Sequence, residues 1–478
     1  MKTFKQKAVF SAVASASLLL AGGAGAVNIN HDGLGEALIY PYYTVRAGTS
    51  TLISVVNTTT TSKSVKVRFN EGKNSAEVLD FNLFLSPKDV WTGAIIATAD
   101  GAGLVTADKS CTNPKITGTV AFRNTAYLGD IAALRTLDRT REGYVEILEM
   151  ATIIKFSPTD NDVTHNSAGI PTCALVSNAA VAANAADYNL PSGGLFGNGT
   201  LVGNSMSTGY NATALEGLGY TGGPTASGTV LPNLTSGSNT TAVVVSSPAS
   251  GTTKITTAGF VGAIDAVSAV LMHSSAMGEY SYDATFSTDW VVTMPTKRFY
   301  VNGTLPILPF QRIWNGRTTS GNGTACVDIT IASFDREEGS STFADDFSPT
   351  GDAGVPQLCF EATVVSFDTK PSTDPSSVVG SVNNAHFAAY QSPAAAGGWA
   401  EMTFGNSNSN PAFTPTLSTP NGLTTLVTSA GVGASVASAI TFTGLPTIGF
   451  TIVAAKFATA RENFNSSYNL NFRKRISP

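Results

Sequence analysis

From residue 37 to about 150, apolar and polar residues alternate in short runs broken by turn residues. The run at 51–57 ends in a Thr/Ser/Lys turn. The runs at 64–69 and 78–85 then repeat with period two, which sends successive side chains to opposite faces of a strand. Ser86, Pro87, Lys88 and Asp89 carry turn chemistry, after which 90–96, 118–123 and 143–150 resume the extended pattern. Short strands with turn signals at this spacing predict a mainly β chain of antiparallel β-sandwich units, immunoglobulin-like or jelly-roll-like. Val55, Val67, Phe69, Leu79, Phe81 and Leu83 would pack one inner face.

The pattern fades over 186–258, where Gly, Ser, Thr and Asn dominate and apolar residues lose their period. This reads as a long, loosely structured insertion with one strand near Ala242. Helical spacing returns at 261–272, where Val261, Ile264, Ala266, Val267, Val270 and Leu271 share a face. Residues 280–301 look extended, and Pro295 within them implies an edge strand or a bulge. The uncharged stretch 429–455 carries too many Gly, Ser and Thr for a spanning helix; two strands around a turn at Gly444-Leu445-Pro446 fit it better. The regular ten-residue segments and aromatic girdles of a transmembrane barrel are not found.

The chain begins with Lys2, Lys5 and Lys7, followed by an uncharged, mostly apolar stretch over 8–20 and the small triplet Ala24-Gly25-Ala26. This is the layout of a secretory signal peptide cleaved before Val27. The stretch is shorter than the roughly 20 residues a membrane span needs. The division expected is therefore a signal peptide at 1–26, an N-terminal β-sandwich at 27–185, the insertion at 186–258 and a C-terminal β-rich region at 259–478. That last region could share a sheet with the N-terminal part.

Composition sharpens this picture. Charged residues make up 13% of the chain, about half the usual share, while 42% are hydrophobic. That suits an extracellular β protein better than a disordered one, since disorder favours charge over β-branched residues. A net charge of −5 argues against nucleic acid, whose phosphates need a basic face. The four cysteines, Cys111, Cys173, Cys326 and Cys359, predict two disulfides in an oxidising compartment. Of the three possible connectivities, proximity in sequence favours Cys111–Cys173 and Cys326–Cys359. The second pair is favoured further because each cysteine sits in a strand-like run.

Two further stretches carry a resemblance. One runs from Ala37-Leu38-Ile39-Tyr40-Pro41-Tyr42-Tyr43 into Lys66-Val67-Arg68-Phe69-Asn70. The other joins Asp289-Trp290-Val291-Val292-Thr293-Met294-Pro295 to Gly444-Leu445-Pro446. Together they resemble a group of exported proteobacterial cell-surface proteins without assigned activity, which implies a location and no catalytic residues.

Candidate chemistry is sparse. His31, His165, His273 and His386 are far apart and form no H-E-x-x-H pair, and there is no C-x-x-C-H and no G-x-S-x-G. The glycines at 217, 219 and 222 match G-x-G-x-x-G by letter but lack the flanking strand and helix. Clustered loop carboxylates, Asp160 with Asp162 and Asp345 with Asp346 and Asp352, could hold calcium weakly, though neither cluster has the spacing of a calcium loop. No other cofactor is expected. Tyr40, Tyr42 and Tyr43 read first as core and second as a binding platform. The function expected is an exported cell-surface structural or interaction protein, partnered by itself or by other surface components and not membrane-spanning. An extracellular hydrolase or carbohydrate-active enzyme and a sugar or metal-ion binding module are the alternatives.

Overall fold

Two strands set the architecture, and both are buried along their whole length: Ala37–Thr44 and Glu142–Ile153. They pair antiparallel at the middle of an eight-stranded sheet. Its order runs Asn28–Ile29, Thr213–Glu216, Ala37–Thr44, Glu142–Ile153, Ser62–Glu71, Glu77–Leu85 and Cys111–Asn113, with Tyr188–Asn189 paired to the end of Glu142–Ile153. Pro41 is accommodated because the register shifts beside it, between Gly143 and Val145, where a missing N–H does not break the ladder. The computed structural model of the chain describes residues 25–203, 206–224, 232–246, 253–281, 283–337, 339–343, 356–371, 373–388, 397–405, 412–419, 421–428, 431–437, 439–456 and 464–477. Residues 1–24 of the expected signal peptide at 1–26, with the basic start and the apolar stretch, lie outside them.

Facing this sheet is a six-stranded one ordered Met206–Asn211, Leu195–Gly203, Thr49–Asn57, Val90–Ala97, Ala102–Val105 and Val120–Ala121. The predicted inner face holds: Val55, Val67, Phe69, Phe81 and Leu83 are buried in one core and Leu79 packs against it. Tyr40, Tyr42 and Tyr43 are core residues too, each with its hydroxyl used. Tyr40 donates to the Ser54 carbonyl at 2.7 Å, Tyr42 to the Glu142 carboxylate at 2.9 Å and Tyr43 to the Thr140 carbonyl at 3.1 Å.

The stretch expected to be loose is largely strand. Leu195–Gly203 and Met206–Asn211 form one side of the six-stranded sheet, and Thr213–Glu216 lies inside the eight-stranded one. The glycines mislead because they serve packing. A side chain at Gly197 would strike the Tyr40 hydroxyl, and one at Gly199 would strike the Tyr210 ring. Thr241–Ser246 and Thr253–Gly259 join Asn421–Thr428 and Gly431–Ala437 in a four-stranded sheet.

A second sandwich pairs a five-stranded sheet with a six-stranded one around Trp290, Val292, Ile329, Phe367 and Met402. Phe286–Thr293 is the middle strand of the first of these, buried on both sides: Val291 belongs to the N-terminal core and Trp290 to the C-terminal one. Pro295 thus follows the end of a central strand, where its missing N–H costs nothing, and marks neither an edge nor a bulge. Among the described residues the N- and C-terminal parts share a core but no backbone ladder. Their sheets meet where the Ser207 N–H donates to the Asn465 side chain at 2.7 Å and the Thr208 hydroxyl to Ser467 at 2.7 Å. The expected helix is Ala263–Leu271; Val261 falls before it and is 92% exposed. Ile440–Thr443 and Ile448–Ala455 flank Gly444, but in place of the expected turn Leu445–Pro446 is a short strand paired with Met272–His273.

Both disulfides form with the expected connectivity, Cys111–Cys173 and Cys326–Cys359. Val327–Asp335 begins directly after Cys326 and pairs with Gln357–Leu358, directly before Cys359.

One cluster of buried charge centres on Arg139. Arg139 donates to both oxygens of Glu71, at 2.7 and 2.8 Å, and to Asp130 at 2.6 Å, and its guanidinium lies over the Tyr127 ring. Burial pushes the Glu71 carboxyl up, but Arg139 and the N–H groups of Ala76 and Lys73 together more than offset this and hold it low. Replacing Arg139 with Met leaves Glu71 buried without its arginine and Asp130 with only Arg317, 3.8 Å away. It is expected to destabilise the fold by about 3–5 kcal/mol, read from the denaturation midpoint; a loss under about 1 kcal/mol would show that water reaches the pair.

Candidate functional site

The strand Ser62–Glu71 alternates strictly, so Val65, Val67 and Phe69 point into the sandwich while Lys66, Arg68 and Asn70 point the other way. Register does the rest. Arg68 stands directly opposite Glu146 on one neighbouring strand and Asp80 on the other, and Asn70 is opposite Tyr144 and Glu77. Opposite charges facing each other across strands attract. Arg68 reaches Glu77 at 3.2 Å and Lys66 reaches Asp80 at 3.1 Å. Alternation of this kind ordinarily marks a face open to water, yet here Lys66, Arg68, Asn70 and Glu146 are all buried.

What covers them comes from far along the chain. After Phe286–Thr293 ends, Pro295 turns the backbone into the short helix Arg298–Val301, and the Pro295 carbonyl lies 3.2 Å from the Tyr144 hydroxyl. Arg298 and Phe299, with Asn233, then close a cavity of about 300 Å³ over Arg68, Glu77, Tyr144 and Glu146. Arg298 is anchored by a bond to the Ser75 carbonyl.

Burial dominates the electrostatics. It lifts the Glu146 carboxyl to about 7, only partly offset by Arg68 and the Tyr144 hydroxyl. It also raises Glu77. Beside the cavity, Tyr144 donates to Ser75 at 2.8 Å and Ser75 to Glu361. Burial raises Glu361 to about 8 and lowers Lys297 to about 7. The Arg68 Nε finds no acceptor although Arg68 is only 7% exposed. The sequence named none of these residues as site candidates. The signal available was charge recurring at every second position of adjacent strands.

The second surface is the outer side of the six-stranded sheet that carries Thr49–Asn57. None of its strands contains a Lys, Arg, Asp or Glu. Its outward positions include Leu52, Val90 and Val202, which are 44%, 47% and 37% exposed. Between them, Ser54, Thr92, Ala94, Asn198 and Thr200 line a shallow groove of about 560 Å³.

The carboxylates proposed for calcium have other partners where they can be seen. Asp160 accepts from the Ser62 hydroxyl at 2.5 Å and the Phe156 N–H at 2.8 Å. Asp162 accepts the N–H groups of Ala174 and Leu175 at 2.9 and 2.8 Å, which fixes the loop that carries Cys173. Asp345, Asp346 and Asp352 lie outside the described residues, among which no three His, Cys, Asp or Glu side chains gather for a metal. His386 bonds Asp368 at 2.5 Å through Nδ1 and the Asp374 carbonyl at 3.0 Å through Nε2, so neither ring nitrogen faces a serine. His165 meets Ser86 and Asp89 through the same nitrogen, at 3.0 and 3.7 Å, which is no relay. No family model matches the chain, and no curated protein matches it.

The raised Glu146 carboxyl makes stability depend on pH. From its ordinary 4.5 up to about 7, the folded chain holds a proton there that the unfolded chain releases, so stability falls as pH rises through this window. Glu146→Gln removes that dependence. The gap between wild type and variant is expected to shift by about 3 kcal/mol between pH 4.5 and 8, measured by denaturation at a series of pH values. Parallel curves would place water on Glu146.

Proposed function

We propose that this protein is exported and works as a structural or interaction subunit, associating with copies of itself through the uncharged face of the six-stranded sheet. That face is the observation that carries the reading. Antiparallel sheets with one side in water ordinarily present polar residues there, and natural sheets use charge to block unwanted association. Here charge is confined to the covered sheet and withheld from the open one. Two such faces can meet without stripping water from any ion, and the groove beside Leu52 and Val202 offers relief for a two-fold, self-complementary contact. Support for export comes from the amino-terminal layout, the two disulfides and the resemblance to exported cell-surface proteins. Among the described residues no helix is long and apolar enough to cross a membrane.

The test is sedimentation of the oxidised chain starting at Val27, with calcium and with chelator. Wild type is expected to form dimers or larger ordered species, and Leu52→Lys with Val202→Lys to raise the dissociation constant at least tenfold. Assembly that requires calcium would assign a role to the Asp345, Asp346 and Asp352 segment. A wild-type monomer under every condition overturns self-association.

A further inference from the structure

The cavity over the charged sheet face is built for a ligand that the self-association reading does not call for. Its polar lining is mixed: the guanidinium groups of Arg68 and Arg298 stand against the carboxyl groups of Glu77 and Glu146. Above about pH 7, where Glu146 has lost its proton, an anion entering it meets two carboxylates and a cation meets two guanidinium groups. A hydroxyl group, which donates one hydrogen bond and accepts others, finds a partner of each kind. Asn70 and Asn233 add amide groups, and Phe299 adds a ring against which the C–H face of a small polyol can lie. At about 300 Å³ the cavity is at the small end for ligand sites, which holds the occupant to about one sugar ring.

A second observation is independent of shape. Arg68 is buried and held by the Glu77 carboxylate at 3.2 Å. Most other polar groups here are already tied: Tyr144 to Ser75, and Arg298 to the Ser75 carbonyl. The lining is therefore held in place before anything binds, so a ligand need not order it.

We infer that this cavity is a binding site for a small neutral polyhydroxylated molecule of monosaccharide size, held between Arg68 and Arg298 on one side and Glu77 and Glu146 on the other. The occupant is a free sugar or the terminal ring of a glycan; both present the same hydroxyl groups.

Isothermal titration and ligand-detected NMR on the intact oxidised chain test it. The probes are glucose, galactose, mannose and N-acetylglucosamine, their methyl glycosides, and inorganic phosphate and glycine betaine as ionic comparisons. At least one sugar is expected to bind at millimolar concentration, at least tenfold more weakly to Glu146→Gln and to Arg298→Gln. Asn233→Leu, at the partly exposed mouth, should weaken it likewise and serves if the buried variants do not fold. Binding of both a sugar and its methyl glycoside supports the site with a chain terminus as the source; binding of the free sugar alone supports it with a monosaccharide. The inference is overturned if no sugar binds, if phosphate or betaine binds more tightly than every sugar, or if binding is undiminished in all folded variants. Failure here leaves the sedimentation result untouched, since none of these residues lies on the open sheet.

Discussion

The structure depends on keeping charge covered on one sheet of its N-terminal sandwich. Lys66, Arg68 and Glu146 sit on the side of the eight-stranded sheet turned away from the sandwich interior, and that side is not left to water. Ions taken out of water are tolerated only where partners stand ready. Cross-strand register supplies some of them, in Arg68 with Glu77 and Lys66 with Asp80. The C-terminal part supplies the cover, by way of Arg298, Phe299 and the Pro295 carbonyl. The same dependence recurs at Glu142, which takes the Arg46 guanidinium from its own half and the Val382 N–H and Ser381 hydroxyl from the other. The N-terminal sandwich is therefore not electrostatically complete without residues 151 to 240 positions away.

Much of this architecture is legible in the sequence. Period-two alternation is a local property, and it located the strands and the inner faces at Val67, Phe69 and Phe81. Both cysteine pairs follow from spacing and strand context. What alternation does not encode is what lies beyond a polar face. Lys66 and Arg68 alternate as residues on an open face do, because a second layer above a sheet leaves no mark on the sheet's own period. Composition misleads over 186–258 for a different reason. Glycine signals a turn when it needs positive φ, but Gly197 and Gly199 are strand residues that make room for Tyr40 and Tyr210. The large side chains that explain them are elsewhere in the chain.

The candidate site was less legible than the fold, and the same distance effect accounts for it. Glu146 lies in a run of ordinary strand residues. Its environment is created by Arg298 and Asn233, neither of which belongs to any motif. The carboxylates that stood out by clustering, Asp160 and Asp162, accept hydrogen bonds that hold a helix and a loop in place. Clustering in sequence counts local neighbours, whereas a cavity is assembled by topology.

The seam between Met206–Asn211 and Phe464–Asn469 bears on how the chain reaches this state. Ser467 and Asn465 close the wall of a sandwich whose first strands are more than four hundred residues earlier. Contacts so distant in sequence are slow to form, because loop closure must come before any reward. The wall of the N-terminal sandwich at Met206–Asn211 is therefore finished only once the distant strand Phe464–Asn469 arrives. Until then that edge of the six-stranded sheet lacks the partner that Asn465 and Ser467 provide.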